Sequence, residues 1–397
     1  MSARVGVAVA GAGMAGQAHA FGFRNATMHP GLTGVRVELA AVVDPNLALA
    51  ESVAARYGFA RAVADLDDVL GDPAIDAVSL ALPNFAYADV IPRTLDAGKH
   101  VLAEKPLGRS AAEAHGFATA ADAAGVVHAV DHSWLRAPAV EAIARIVEEG
   151  RIGRIRHASG WYLSDYAATA DAPLSWRYDV ERAGGGAITD LGAHVIAMME
   201  RVAGPFRRVL AADARTLIAE RPVPAGPSVG HVRGEVTGET GPVTNDDVTS
   251  LLVELRDGGS GSLTISRVAS GEPNSLGFAL FGSEGSVAFE SLHPDELRLY
   301  TRGLDEPERN GPRRVVVSPA HPYFADTVPI PFPGVSSGYG AFFIAHAQAF
   351  LRAIIDGEPV ASDFWAGHRV MLVCDAVLRA AAEGRAVDLD GPGEAGP

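Results

Sequence analysis

Apolar positions in the first third of the chain fall into short continuous runs separated by stretches of helical period. Arg4-Val5-Gly6-Val7-Ala8-Val9-Ala10 is almost wholly apolar, which suits a strand buried on both faces. Val37–Val43, Ala77–Leu82, His100–Ala103 and Val126–Val130 repeat the pattern. Between them, the stretch around Phe21–Arg24 and the segments Ala88–Ala97 and Ser110–Ala124 read as helices, and Gly98 stops the second of these. Strand and helix in alternation predict an α/β fold with a doubly wound parallel sheet, whose carboxyl strand ends carry function.

After Trp134-Leu135-Arg136-Ala137-Pro138 the pattern changes. A helix over Ala139–Glu149 and a strand over Ile155–Leu163 come first. Ile188, Leu191, Val195, Ile196 and Met199 then recur at helical spacing. Strands follow without helices between them, near Arg208–Leu217, Val248–Leu255, Ser260–Val268, Ser275–Phe281, Ser286–Phe289 and Glu296–Tyr300. This predicts a C-terminal α+β domain with a large, mainly antiparallel open sheet. Val, Leu and Phe on its far face suggest a partner subunit, hence a homo-oligomer. Glu220–Asn245 and Asp305–Gly340 read as long loops, and Tyr339–Ile355 and Phe364–Ala382 as closing helices. The division expected is a dinucleotide-binding domain over 1–133 and a substrate and oligomerisation domain over 134–397. The closing helices are expected to pack back on the first domain.

Composition narrows the classes. A chain of 397 residues exceeds one ordinary core. A formal charge of −15 argues against a nucleic-acid partner. No apolar run reaches the roughly 18 residues of a membrane span. The start lacks a basic segment followed by an apolar one, so a cytoplasmic protein is expected. Cys374 is the single cysteine and reads as a buried small hydrophobe.

The first apolar run leads into Gly11-Ala12-Gly13-Met14-Ala15-Gly16, and the second ends at Asp44. Strand, GxGxxG, helix, strand and terminal acid together mark a Rossmann dinucleotide site. Gly11 permits the turn, Gly13 the approach of a pyrophosphate, and Gly16 close helix–strand packing. The N–H groups of Met14 and Ala15 open the helix toward phosphate. Asp44 suits a ribose 2′-hydroxyl and repels a 2′-phosphate, so NAD is favoured over NADP; it can also cap the next helix. Leu82-Pro83-Asn84 and Glu104-Lys105-Pro106 follow two further strands. Lys105 there is a site candidate or a surface lysine in a turn. Gly184-Gly185-Gly186 precedes Asp190 and His194, an acid and an imidazole at i and i+4. The two form a proton-transfer pair or a helix-start acid with an ordinary neighbour. No third ligand stands near them, so no metal site is expected.

In this order the fingerprint, Glu104-Lys105-Pro106 and the glycine-led Asp190/His194 resemble the Gfo/Idh/MocA family of NAD(P)-dependent oxidoreductases over nearly the whole chain. Pro173-Leu174-Ser175-Trp176-Arg177 and His321-Pro322-Tyr323 are similar to the branch of levoglucosan and other pyranoside 3-dehydrogenases, with the inositol dehydrogenases next. The resemblance implies that Lys105, Asp190 and His194 are catalytic, and that NAD serves to oxidise a secondary hydroxyl of a pyranoside, anhydrosugar or inositol, C3 of a sugar being favoured. The cofactor would be held by Gly11, Gly13, Met14, Ala15, Gly16, Asp44, Leu82, Pro83, Asn84, Glu104 and Lys105. His132, Tyr162, Trp176 and Arg177 join Lys105, Asp190 and His194 as candidates for sugar contacts, and Trp176 and Tyr162 suit a core equally well. Many relatives have Pro-Asn-x-x-His where this chain has Pro83-Asn84-Phe85-Ala86-Tyr87. A glycosidase that retains NAD through transient C3 oxidation, and a non-catalytic NAD-binding protein, are the competing readings.

Overall fold

The computed structural model describes residues 3–226, 235–303 and 306–389. The chain divides into two compact units. The first runs to Arg136 and includes Ala325–Pro331 and Ser337–Arg369; the second holds Ala137–Phe324, Phe332–Ser336 and the chain from Val370.

The first unit is a parallel sheet of β1 (Arg4–Ala10), β2 (Arg36–Val43), β3 (Arg61–Val63), β4 (Ala77–Leu80), β5 (His100–Glu104) and β6 (His128–Asp131). Their order is β3-β2-β1-β4-β5-β6, so the winding reverses between β1 and β4, where such sheets bind ligands. Val5, Val7 and Val9 pack under the helix Met14–Asn25 with Phe23, Phe350 and Leu351. The last two come from the helix Tyr339–Asp356, which approaches so closely that a Cβ on Gly22 would stand 2.6 Å from the Phe343 carbonyl oxygen.

The second unit is built on β7 (Ile155–Leu163), β8 (Phe206–Arg215), β9 (Glu220–Pro224), β10 (Val236–Pro242), β11 (Val248–Leu255), β12 (Ser260–Ser266), β13 (Ser275–Gly282), β14 (Gly285–Glu290), β15 (Glu296–Thr301), β16 (Arg313–Val316) and β17 (Val387–Asp388). A nine-stranded sheet runs β16-β15-β14-β13-β7-β12-β11-β8-β17, and only β7 and β12 pair in parallel. The helix Ala193–Ala203 lies on its inner face: a Cβ on Gly160 of β7 would touch Val195 at 3.1 Å.

Three expectations change. The Pro- and Gly-rich stretch 220–245 holds a hairpin, β9 with β10; residues 227–234 of it lie outside the described residues. Arg221 anchors it, fully buried, donating to the carbonyls of Ala167 (2.7 Å) and Thr169 (2.9 Å). The stretch 305–340 contains the edge strand β16 and the short helix Phe324–Thr327, while Asp305 lies outside the described residues. The far face of the large sheet is not broadly apolar. Strand alternation turns Leu251, Val253, Leu263, Ile265, Leu276, Phe278 and Leu280 inward, leaving Ser250, Ser262 and Thr264 outward with Trp161, Leu252 and Phe281 among them.

Candidate active site

In the first unit the three glycines of the fingerprint meet three different surroundings. Gly11 has φ +99°, and a Cβ there would lie 2.2 Å from the Ala81 carbonyl oxygen. A Cβ on Gly16 would lie 1.7 Å from the Gly11 carbonyl oxygen, so only glycine lets the helix sit against the turn. A Cβ on Gly13 would meet nothing within 4 Å, which leaves its backbone open to a phosphate. Met14 and Ala15 begin the helix beside it, and their N–H groups precede the first helical acceptor. This arrangement fits a dinucleotide.

Asp44, at the end of β2, is already employed in this loop. Its Oδ2 accepts the Ala12 N–H at 2.8 Å and its Oδ1 that of Asn46 at 2.8 Å. Each oxygen keeps a second lone pair for a ribose hydroxyl. Leu82, Pro83 and Asn84 leave the end of β4; Asn84 is buried and donates to the Gly108 carbonyl at 3.3 Å. Tyr87, where relatives carry histidine, is fully buried and donates to the Leu80 carbonyl at 3.0 Å. Burial and then the charge of Glu104 raise its hydroxyl pKa, so it stays protonated and donates to the end of β4.

Glu104 closes β5, and its Oε2 accepts the backbone N–H of half-buried Lys105 at 3.0 Å. His132 follows β6, buried, with Nδ1 2.9 Å from Ser362 Oγ. Because the Ser362 hydroxyl donates to the Val130 carbonyl (2.9 Å), Nδ1 carries the imidazole proton and Nε2 is the acceptor. Burial, and then the charge of Lys105, push His132 down to about 4.

In the second unit, Asp190 and His194 stand on one continuous helical stretch that opens with a π-turn, Ile188–Gly192, and continues as the helix Ala193–Ala203. The i,i+4 spacing therefore does not describe an ideal α-helical face, and widened turns of this kind recur at functional sites. Asp190 is half-buried and accepts the Tyr166 hydroxyl at 3.0 Å; His194 is buried, with the Tyr162 ring 5.8 Å from its own. Tyr162 is also buried and donates to Asn274 Oδ1 at 2.8 Å. Burial first, and the Asp190 charge second, raise the pKa of both tyrosines, so each stays a neutral donor.

Sequence reasoning missed the residue that fixes this helix. Asp246, buried, accepts the N–H of Gly186 (2.6 Å) and Ile188 (2.9 Å) and the Thr249 hydroxyl (2.7 Å). The Ala187 N–H donates to its carbonyl at 2.8 Å. A Cβ on Gly186 would lie 2.1 Å from that carbonyl oxygen, which is the reason for glycine there. Next to it, Asp247 pairs with Arg267 at 2.8 Å in full burial. Arg267 also donates to Asn245 Oδ1 (2.8 Å) and the Arg177 carbonyl (3.2 Å). These bonds hold the short 3-10 turn of Trp176 and Arg177, whose side chains stack at 4.5 Å. The signal was present: three polar residues, Asn245-Asp246-Asp247, run into an apolar strand. Tyr166 and Asn274 carried no motif.

Residues 5–132 match the oxidoreductase family with an NAD-binding Rossmann fold, and residues 140–288 match the GFO/IDH/MocA C-terminal domain. The chain belongs to the Gfo/Idh/MocA family. It is therefore an oxidoreductase whose Rossmann domain binds NAD. Levoglucosan dehydrogenase of Pseudarthrobacter phenanthrenivorans is 36% identical over 96% of this chain and 97% of its own. Inositol 2-dehydrogenase of Rhizobium meliloti is 24% identical over 88% of this chain and 91% of its own. Among solved Gfo/Idh/MocA structures, levoglucosan dehydrogenase with NADH and levoglucosan matches at a TM-score of 0.89 and 33% identity, covering 98% of this chain and all of that one.

Proposed function

We propose that this protein is an NAD-dependent dehydrogenase oxidising a secondary hydroxyl of a pyranose ring, with levoglucosan-type anhydrosugars the first substrates to test and C3 the carbon oxidised. The observation that carries the reading is the 36% identity to levoglucosan dehydrogenase, spread over 97% of that enzyme. The match to inositol 2-dehydrogenase makes cyclic polyols the next class.

Bound NAD supplies the hydride acceptor. The hydroxyl proton has to leave as the C–H bond breaks, and neutral His194 takes it. Lys105 donates to the reacting oxygen and stabilises the developing alkoxide. Asp190, set by the Tyr166 hydroxyl, orients a sugar hydroxyl or the His194 ring. Trp176 offers a ring face to sugar C–H groups, while Arg177, Tyr162 and His132 offer polar contacts. Gly11, Gly13, Met14, Ala15 and Gly16 hold the pyrophosphate, Asp44 the ribose, and Leu82, Pro83, Asn84 and Glu104 the remainder of the dinucleotide.

The test is NADH formation with levoglucosan, glycosides, monosaccharides and inositols as alternative substrates. A ketosugar formed in equal amount with NADH is expected; no NADH with any of them overturns the reading. Among the described residues no helix is long and apolar enough to cross a membrane. The cytoplasm, with its NAD pool, is the compartment this chemistry implies. A homo-oligomer formed through the second unit completes the reading. Sedimentation showing only monomer would remove that part.

A further inference from the structure

In the first unit a buried ionic cluster gathers at the ends of β5 and β6. Glu104 and Asp131 are register partners on the last rung of β5 and β6, so two carboxylates stand side by side at the same sheet edge. Like charges so placed repel unless a cation joins them. His19, on the first helix, joins them. Its Nε2 lies 3.2 Å from Glu104 Oε1 and 3.0 Å from Asp131 Oδ2, and its Nδ1 2.5 Å from Ser79 Oγ. The His19 side chain has no exposure, and the carboxylates have 13% and 2%.

Other groups face the cluster. His346 Nδ1 is 3.6 Å from Asp131 Oδ1, too far for a hydrogen bond, and the Phe343 ring stands 5.8 Å from His19. Burial pushes His346 well below its usual range, with the positive charges of Arg136 and His19 adding to it, so it is neutral. For His19 burial pulls downward, but the hydrogen bonds and charges of Asp131 and Glu104 outweigh it and raise it to about 10. Burial also raises the Asp131 carboxyl, with the hydrogen bond and charge of His19 opposing that rise, so the proton of the cluster is shared between them with His19 favoured.

Glu104 has two oxygens with different tasks. Oε1 faces His19, and Oε2 receives the backbone N–H of Lys105. We propose that His19 is a positioning residue for Lys105: by clamping Glu104 it fixes the first peptide beyond β5, from which the lysine side chain departs. The inference rests on the proposed role of Lys105, and its failure is separable from failure of that role.

The experiment uses the full chain with NAD and the best sugar substrate, with NADH-binding sites counted by fluorescence titration. Lys105→Ala is expected to lose turnover; if it does not, the role of Lys105 fails whatever His19 does. His19→Gln keeps an N–H toward the carboxylates but no charge. It is expected to lower kcat per NADH site by about 10²-fold, the cost of a displacement of about 1 Å in a reacting group. The number of NADH sites should hold and the fall in kcat per site should exceed any rise in the KM for NAD, since the glycine loop is untouched and Glu104 is the one dinucleotide residue disturbed. Glu104→Gln cuts the same link from the other side. The double variant should be no slower than the slower single one, because both act through one connection. Glu104→Gln carries the test if His19→Gln does not fold. Wild-type kcat per site in these variants, or losses confined to melting temperature and site number, overturn the proposal. So does a stoichiometric divalent metal that departs with His19→Gln.

Discussion

The two units hold their candidate site residues by different physical means. In the first, backbone geometry does most of it: a turn at Gly11, a contact at Gly16 that admits no side chain, and parallel strands ending together. In the second, buried side chains reach across the sequence to pin a loop. Asp246 takes the N–H groups of Gly186 and Ile188, and Arg267 ties Asp247 and Asn245 to the Arg177 backbone. Backbone-held sites tolerate changes of polarity and fail on changes of size. Side-chain-held sites do the reverse.

The sharpest test of the first half is Gly16→Ala, whose methyl would enter the Gly11 carbonyl. About 3 kcal/mol or more of stability should be lost, with NADH binding, in denaturant unfolding and fluorescence titration. An alanine tolerated there would show that the turn yields and that backbone geometry is not what holds it. Asp246→Ala is the matching cut in the second half. It removes no packing volume of note but strands two buried N–H groups, at about 1–3 kcal/mol each. Turnover should fall more than NADH affinity, because the helix bearing Asp190 and His194 is what loosens; an equal fall in both would break the distinction.

A pH titration of stability separates the halves more gently. The folded pKa of His19, about 10, lies above its unfolded value of 6.5. Its contribution is therefore complete below pH 6.5 and is lost as the pH rises toward 10. The melting temperature should decline over that interval, and His19→Gln should flatten the decline. An identical slope in both proteins would remove His19 as its source. Least disruptive is Gly13→Ala, with open space for its methyl. Stability should stay within about 0.5 kcal/mol while NADH binds about tenfold more weakly, since the methyl meets only the ligand. Unchanged affinity would place the pyrophosphate elsewhere.

The same contrast explains what could be read from the chain. Strand runs, glycines and strand-end residues encode the parallel sheet locally, so β1, β2, β4 and β5 and the positions of Gly11, Asp44, Asn84 and Lys105 were legible. Asp246 was not, because its partners at Gly186 and Ile188 lie far away in sequence and no periodicity links them. The hairpin of β9 and β10 was hidden by its prolines, which argue against a central strand but are tolerated in a two-stranded ribbon. The outward face of the large sheet is less apolar than the strand composition suggests, because alternation along the pleat turns most of the Val, Leu and Phe inward. His19 carried a signal that went unused: an imidazole three residues beyond the last fingerprint glycine, on the helix face turned to the strands.

The π-turn at Ile188–Gly192 makes the angular setting of Asp190 a one-residue matter. A helix advances about 100° per residue, and a widened turn is equivalent to one residue inserted into an otherwise regular spiral. Deleting a residue within it would restore the regular spiral and swing everything upstream, Asp190 and the glycine triplet included, by that angle about the axis. The helix from Ala193 onward would keep its face on the sheet. Acid and imidazole are thus phased by an insertion, and a shorter chain with the same amino acids would present them in different directions.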